Sequence, residues 1–245
     1  MIIKLENGKT ADLSKGLDLS ISLRGDETNP RAWYVDPPTF EPVRANGWIG
    51  AVKEGGDVNF RDIFFNPHGH GTHTECLGHI TEKIYSINDH IDNFFCFAEV
   101  ISVEPKKIDG DQVITDELLN QLDGIEQIEA LIIRTLPNSD EKCSKNYSDT
   151  NPPYFSIDCI TRLNKLGVKH LLVDLPSVDK EADNGELAFH HAFWGVPDKP
   201  NFERTITELI YVSNEISDGS YLLNLQVANF ENDAAPSRPV LFELK

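Results

Sequence analysis

Asn66-Pro67-His68-Gly69-His70-Gly71-Thr72-His73-Thr74-Glu75-Cys76-Leu77-Gly78-His79 carries four of the chain's eight histidines. Positions 68–79, twelve out of 245, would hold about 0.4 of eight histidines by chance, so the clustering itself is informative. Imidazole and carboxylate together suit zinc, iron or manganese. If the segment is extended, alternation puts His73, Glu75 and His79 on one face, and the glycines let backbone approach an ion closely. For any single histidine a solvated loop is the plainer account. Four of them with a carboxylate favour a metal site.

Three later segments carry further candidates. Asp174-Leu175-Pro176-Ser177-Val178-Asp179 follows an apolar run at the place where α/β proteins put functional loops; taken alone, it reads better as a strand-to-turn exit with local hydrogen bonds. His190-His191 lies in a helical-looking stretch, where neighbours point about 100° apart, so at most one can face a site. Glu208 sits inside the apolar run Thr205–Ile210. Facing inward it needs a metal or an arginine; facing outward it is merely solvated.

Around these, short strand patterns alternate with few helices. Asn7-Gly8 between Ile2–Leu5 and Thr10–Leu13 predicts a hairpin. Leu17–Leu23, Trp48–Val52, Val58–Phe60, Phe97–Val103, Ala130–Arg134, Leu171–Val173, Ile206–Val212, Tyr221–Val227 and Val240–Leu244 read as strands. Asp116–Leu122 reads as a helix capped by Thr115, and Ser156–Leu166 as one capped by Ser156 and stopped by Gly167. The Pro- and aromatic-rich stretch 28–47 reads as an ordered loop. Nothing divides the chain, so residues 1–245 are expected to form a single α/β domain around a mixed, partly antiparallel sheet.

Composition narrows the function classes. Hydrophobic residues make up 40% of the chain, enough for a sizeable core, yet no run is long enough for a membrane helix. A net charge of −18 argues against nucleic acid or an anionic membrane as partner. Four scattered cysteines and no apolar leader at the amino terminus point to a cytoplasmic protein without disulfides.

Taken together, the segments resemble the cyclase family, metal-dependent hydrolases that include bacterial kynurenine formamidases and isatin hydrolase. Its hallmark is H-x-G-T-H-x-D-x-P-x-H; here Gly71-Thr72-His73-Thr74-Glu75 and His79 match, with Glu75 in place of Asp and Leu77 in place of Pro. Leu131–Thr135, Val173–Asp179, Ala188–His191, Glu208 and Asp233–Val240 resemble later family segments in order. The family's first histidine falls on Gly69, so His68 is the candidate for that role and His70 the runner-up.

The resemblance implies the kynurenine formamidase fold, of swivelling β/β/α type, and one or two divalent ions, zinc first and manganese second. His68, His73 and Glu75 would hold one ion; Glu75, His190 and Glu208 would hold the other; His79 would be the catalytic acid or base. The expected activity is hydrolysis of an amide C–N bond in a small molecule, with cyclic-amide opening or non-catalytic ligand binding as alternatives. Trp33, Tyr34, Phe40 and Trp48 would be candidates to wall an aromatic pocket. A homo-oligomer, dimer or tetramer, is implied as well.

Overall fold

The computed structural model describes residues 1–5 and 7–245. Seven strands close on themselves in the order Gly219–Val227, Phe95–Val103, Ala130–Thr135, His170–Val173, Thr205–Glu208, His73–Glu75 and Ala234–Glu243, the last pairing back to the first. The four from Phe95–Val103 to Thr205–Glu208 run parallel, and the remaining pairings are antiparallel. The mixed α/β class therefore holds, in the form of a barrel-like sheet.

Period-two alternation sorts the side chains into two cores. Ala130, Ile132, Leu172, Leu223 and Leu241 fill the inside of the ring. Leu131, Ile133, Leu171, Val173 and Ile206 point outward and are covered by α1 (Cys159–Leu166) and α2 (Ala188–Trp194). Each such apolar side chain contributes about 1.5–3 kcal/mol by leaving water. Helix α1 buries Cys159, Leu163 and Leu166, one face at helical spacing. It ends at Gly167, whose φ of 72° suits only glycine comfortably.

Several boundaries differ from those that periodicity predicts. The Ile2–Lys4 and Thr10–Asp12 hairpin is present, but the strand expected over 17–23 pairs regularly only at Leu17–Asp18, with one bridge at Ser20. Val52–Glu54 forms a 3₁₀ turn, and Arg61–Phe64 rather than 58–60 is the strand that follows. Asp116–Leu122 is 3₁₀ rather than α, and the Thr115 hydroxyl caps nothing. Helix α1 starts at Cys159, with the Ser156 carbonyl rather than its hydroxyl receiving the first N–H. No helix among the described residues is long and apolar enough to cross a membrane.

Candidate metal centre

In the strand His73–Glu75 all three residues are buried, but they face two ways. Thr74 points into the barrel, where its hydroxyl meets that of Thr207 at 2.8 Å. His73 and Glu75 point outward, and antiparallel register sets Glu208 directly opposite His73. A period of two thus puts three of the expected residues on one outer face. The expectation that His79 would continue that face as strand does not hold. The strand stops at Glu75, and a 3₁₀ turn at Leu77–Ile80 carries His79 back over it.

Helix α2 closes the site from the far side, burying His190 beside Phe189, Phe193 and Trp194. His191 turns away and bonds the Val196 carbonyl, so only one of the adjacent histidines faces the cluster. The loop before the strand delivers His68. His70 is buried elsewhere, held between the Asn66 N–H and the Asp36 carbonyl, and does not join the cluster. Of the two candidates for the displaced first histidine, the structure brings only His68 to the others.

Glu75 is the hub. Its Oε2 lies 3.0 Å from His68 Nδ1 and 3.9 Å from His79 Nε2, and its Oε1 lies 3.1 Å from His190 Nε2. Glu208 lies 3.6 Å from His73 Nε2 and 3.9 Å from His190 Nε2, and it accepts the Val178 N–H. Donor atoms of His68, His73 and Glu75 fall within 4.8 Å of one another, as do those of Glu75, His79 and His190, and those of His68, His79 and Asp233. The far nitrogens of the buried rings are also engaged. Nδ1 of His73 donates to the Gly71 carbonyl at 2.9 Å, and Nδ1 of His190 donates to Asp179 at 2.7 Å. Such outer acceptors select a tautomer and leave the inner nitrogen bare for a cation.

Electrostatics test whether a cation fits. Glu75, Glu208, Asp179 and Asp233 crowd one largely dry pocket, which requires compensating positive charge. Without an ion the histidines supply it. Burial opposes charge on His68 and His190, but the carboxylates around them win and raise both to about 10. Burial, helped by the charge on His68, pushes His73 down to about 4. Burial would also raise Glu75, yet the imidazoles of His79, His190 and His68 hold it well below the usual range. Glu208 goes the other way, pushed well up by burial and by the charge on Glu75. Buried His73 Nε2 finds no hydrogen-bond partner, and buried Glu75 Oε2 has only the His68 ring, 3.0 Å away, beside it without an aligned hydrogen bond. A divalent cation meets both demands, and the donor set fits one.

Of the N-terminal aromatics, only Trp33 lines the adjoining cavity of about 410 Å³. Tyr34 is exposed and bonds Asp149, and Trp48 packs edge-on against Phe60. Phe40 lies against Gly25. Asp233 also joins the site; it opens the segment Asp233–Val240 that resembles a family motif, but the sequence assigns its side chain no role. Its carboxylate lies 2.8 Å from His68 Nε2 and 3.4 Å from His79 Nδ1. The motif resemblance is a signal in the sequence, and the place of Asp233 just before a strand that pairs with His73–Glu75 is what the register adds.

Residues 17–180 match the family described as putative cyclase, and the chain belongs to that family. It is similar to the kynurenine formamidases of Bacillus cytotoxicus, 27% identical over 233 residues, and of Bacillus cereus, 28% identical over 233 residues. Each alignment covers 93% of this chain and 97% of the relative. Among solved structures, an isatin hydrolase bound to the product analogue thioisatinate shares the fold with a TM-score of 0.69 at 13% identity, over 94% of this chain and 93% of that one.

Proposed function

We propose that this chain is a metal-dependent hydrolase of an amide C–N bond, arylformamidase-like, acting on an N-formyl aromatic amine of the N-formylkynurenine type. The observation that carries this reading is the junction of His68, His73, Glu75, His190 and Glu208, from segments more than a hundred residues apart, around the unpartnered buried Nε2 of His73. The likeness to the Bacillus kynurenine formamidases over nearly the whole of both chains supports the substrate class. Residues beyond the family match, His190, Glu208 and Asp233, complete the site, which supports one working unit over 1–245.

His68, His73 and Glu75 would hold one ion, with Glu75, His190 and Glu208 offering donors for a second; zinc is the first choice and manganese the second. Bound there, a divalent cation supplies Lewis acidity, polarising a carbonyl and acidifying water. The chain's own residues do the rest. Trp33 and Leu187 give the cavity apolar walls against which an aromatic ring can lie. His79, the most exposed imidazole of the cluster, takes the proton from the attacking water and hands it to the leaving nitrogen. A C–O bond forms, the C–N bond breaks, and formate and the amine leave.

A second reading, opening of a cyclic amide, is favoured by one observation. Lys180, the lysine lining the cavity, is already paired with Asp111 at 2.7 Å, leaving an uncharged substrate better matched than a carboxylate. Phe60, Ile63 and Phe64 are exposed apolar side chains on or beside the two-stranded sheet of Thr39–Pro42 with Arg61–Phe64, which supports a homo-oligomer and is testable by light scattering. Four free cysteines suit a cytoplasmic location.

The test is an assay of the zinc- or manganese-loaded protein and its His73→Ala variant on N-formylkynurenine and on isatin. The reading expects turnover by the parent and a loss of more than about 100-fold in the variant. A metal-loaded parent inert toward both classes would leave a ligand-binding relative without catalysis.

A further inference from the structure

His68 and His79 stack with ring centroids 4.2 Å apart and planes inclined by 28°. Both rings lie between the same two carboxylate oxygens. On the outer side Asp233 Oδ2 is 2.8 Å from His68 Nε2 and 3.4 Å from His79 Nδ1. On the inner side Glu75 Oε2 is 3.0 Å from His68 Nδ1 and 3.9 Å from His79 Nε2.

A neutral imidazole carries one N–H, and the carboxylate that accepts it decides which nitrogen stays bare. We propose that Asp233 is a positioning residue for both histidines: it takes the outer N–H of each ring, so that His68 presents Nδ1 to the ion and His79 presents Nε2 for proton transfer. His73 and His190 have their own outer acceptors, the Gly71 carbonyl and Asp179. Asp233 supplies the equivalent for the remaining two rings and ties the proton-transfer group to a ligand through one oxygen.

The backbone is fixed to suit. The Asp233 carbonyl accepts the Cys76 N–H at 3.0 Å, and the next residue, Ala234, stands opposite Glu75 in register. Asp233 and Glu75 are therefore held at constant separation across the two rings. The same donors also lie close enough for Asp233 to be a ligand itself. The 2.8 Å contact with His68 is instead the length of a charge-assisted hydrogen bond, and ion counting separates the two roles.

This inference rests on the metal-hydrolase reading. Its test titrates metal-free parent, Asp233→Ala and Asp233→Asn with zinc against a chromophoric chelator, then measures kcat and KM at saturating zinc on whichever amide the parent hydrolyses. A positioning role predicts the same number of ions at saturation in all three proteins. It also predicts zinc affinity about 10–100-fold weaker in Asp233→Ala and a kcat roughly tenfold lower or worse, with KM little changed. Asp233→Asn, which keeps an acceptor oxygen and the shape of the side chain, falls between and keeps the test open if the alanine variant does not fold. Parent-like affinity and kcat in both variants would overturn the inference, as would an ion lost at saturation, which would make Asp233 a ligand. A parent that takes up no zinc would overturn the hydrolase reading instead.

Discussion

Asp179 and His190 are joined twice: one carboxylate oxygen accepts both the backbone N–H of His190, at 3.0 Å, and its ring Nδ1–H, at 2.7 Å. The other oxygen accepts the Phe189 N–H at 2.8 Å. A single side chain thus caps the start of α2 and aims His190 Nε2 at Glu75. Asp179→Asn should weaken metal binding about 10–100-fold and remove about 1 kcal/mol of capping energy. Competition titration and thermal melting read the two losses separately, and unchanged affinity would mean that His190 needs no such guide.

Gly78 precedes His79, and a Cβ there would stand 2.4 Å from the Tyr85 carbonyl oxygen and 2.7 Å from its nitrogen. Both are backbone atoms, so the turn rather than a flexible side chain must give way. Gly78→Ala should displace His79 and lower kcat by roughly 10–100-fold, while the ion count by elemental analysis stays at the parent value. Wild-type kcat in that variant would remove His79 from the proton-transfer role.

Asp174 is fully enclosed, and burial pushes its carboxyl up although Lys142, 2.7 Å away, and the Thr135 N–H pull it down. The same ammonium reaches the Thr135 carbonyl and Asn138 Oδ1, so it ties two strand ends together. Lys142→Met strands a buried carboxylate and should cost about 3–5 kcal/mol in urea unfolding. Replacing both partners, Lys142→Met with Asp174→Leu, should recover much of that loss.

His170, below the opposite end of the site strands, donates to or accepts from Thr205 Oγ1 at 2.9 Å. Burial, with a smaller push from Lys169, lowers it from 6.5 to about 4. Between those values the unfolded chain binds a proton that the folded chain refuses, so stability rises with pH across the window. It is complete above about 6.5 and falls as pH drops toward 4, by up to about 3 kcal/mol. His170→Gln should flatten that slope relative to the parent in chemical denaturation at pH 4–7; parallel curves would contradict it.

Much of this site is legible in the sequence because its chemistry is local there. His68, His73, Glu75 and His79 fall within twelve residues, and strand alternation by itself pairs His73 with Glu75. The choice between His68 and His70 is not legible. Both are histidines flanking one glycine, and only the bonds from Asn66 and to Asp36 divert His70. The role of Asp233, though it opens a family-like segment, is hidden for a similar reason, since its nearness to His68 depends on a pairing between strands about 160 residues apart. Element types are mostly recoverable from periodicity, whereas ring closure is not. The pairings that bring the ring round, Ala234–Pro236 against His73–Glu75 and Gly219–Asn224 against Phe95–Val100, join segments more than a hundred residues apart and leave no local mark.

The most direct test of the account is the metal content of protein purified without chelator or a histidine-rich tag, beside its His73→Ala and Glu208→Ala variants. One or two equivalents in the parent, reduced in both variants, is the predicted result and puts two segments 135 positions apart at one centre. A parent that remains empty after incubation with zinc or manganese would contradict it.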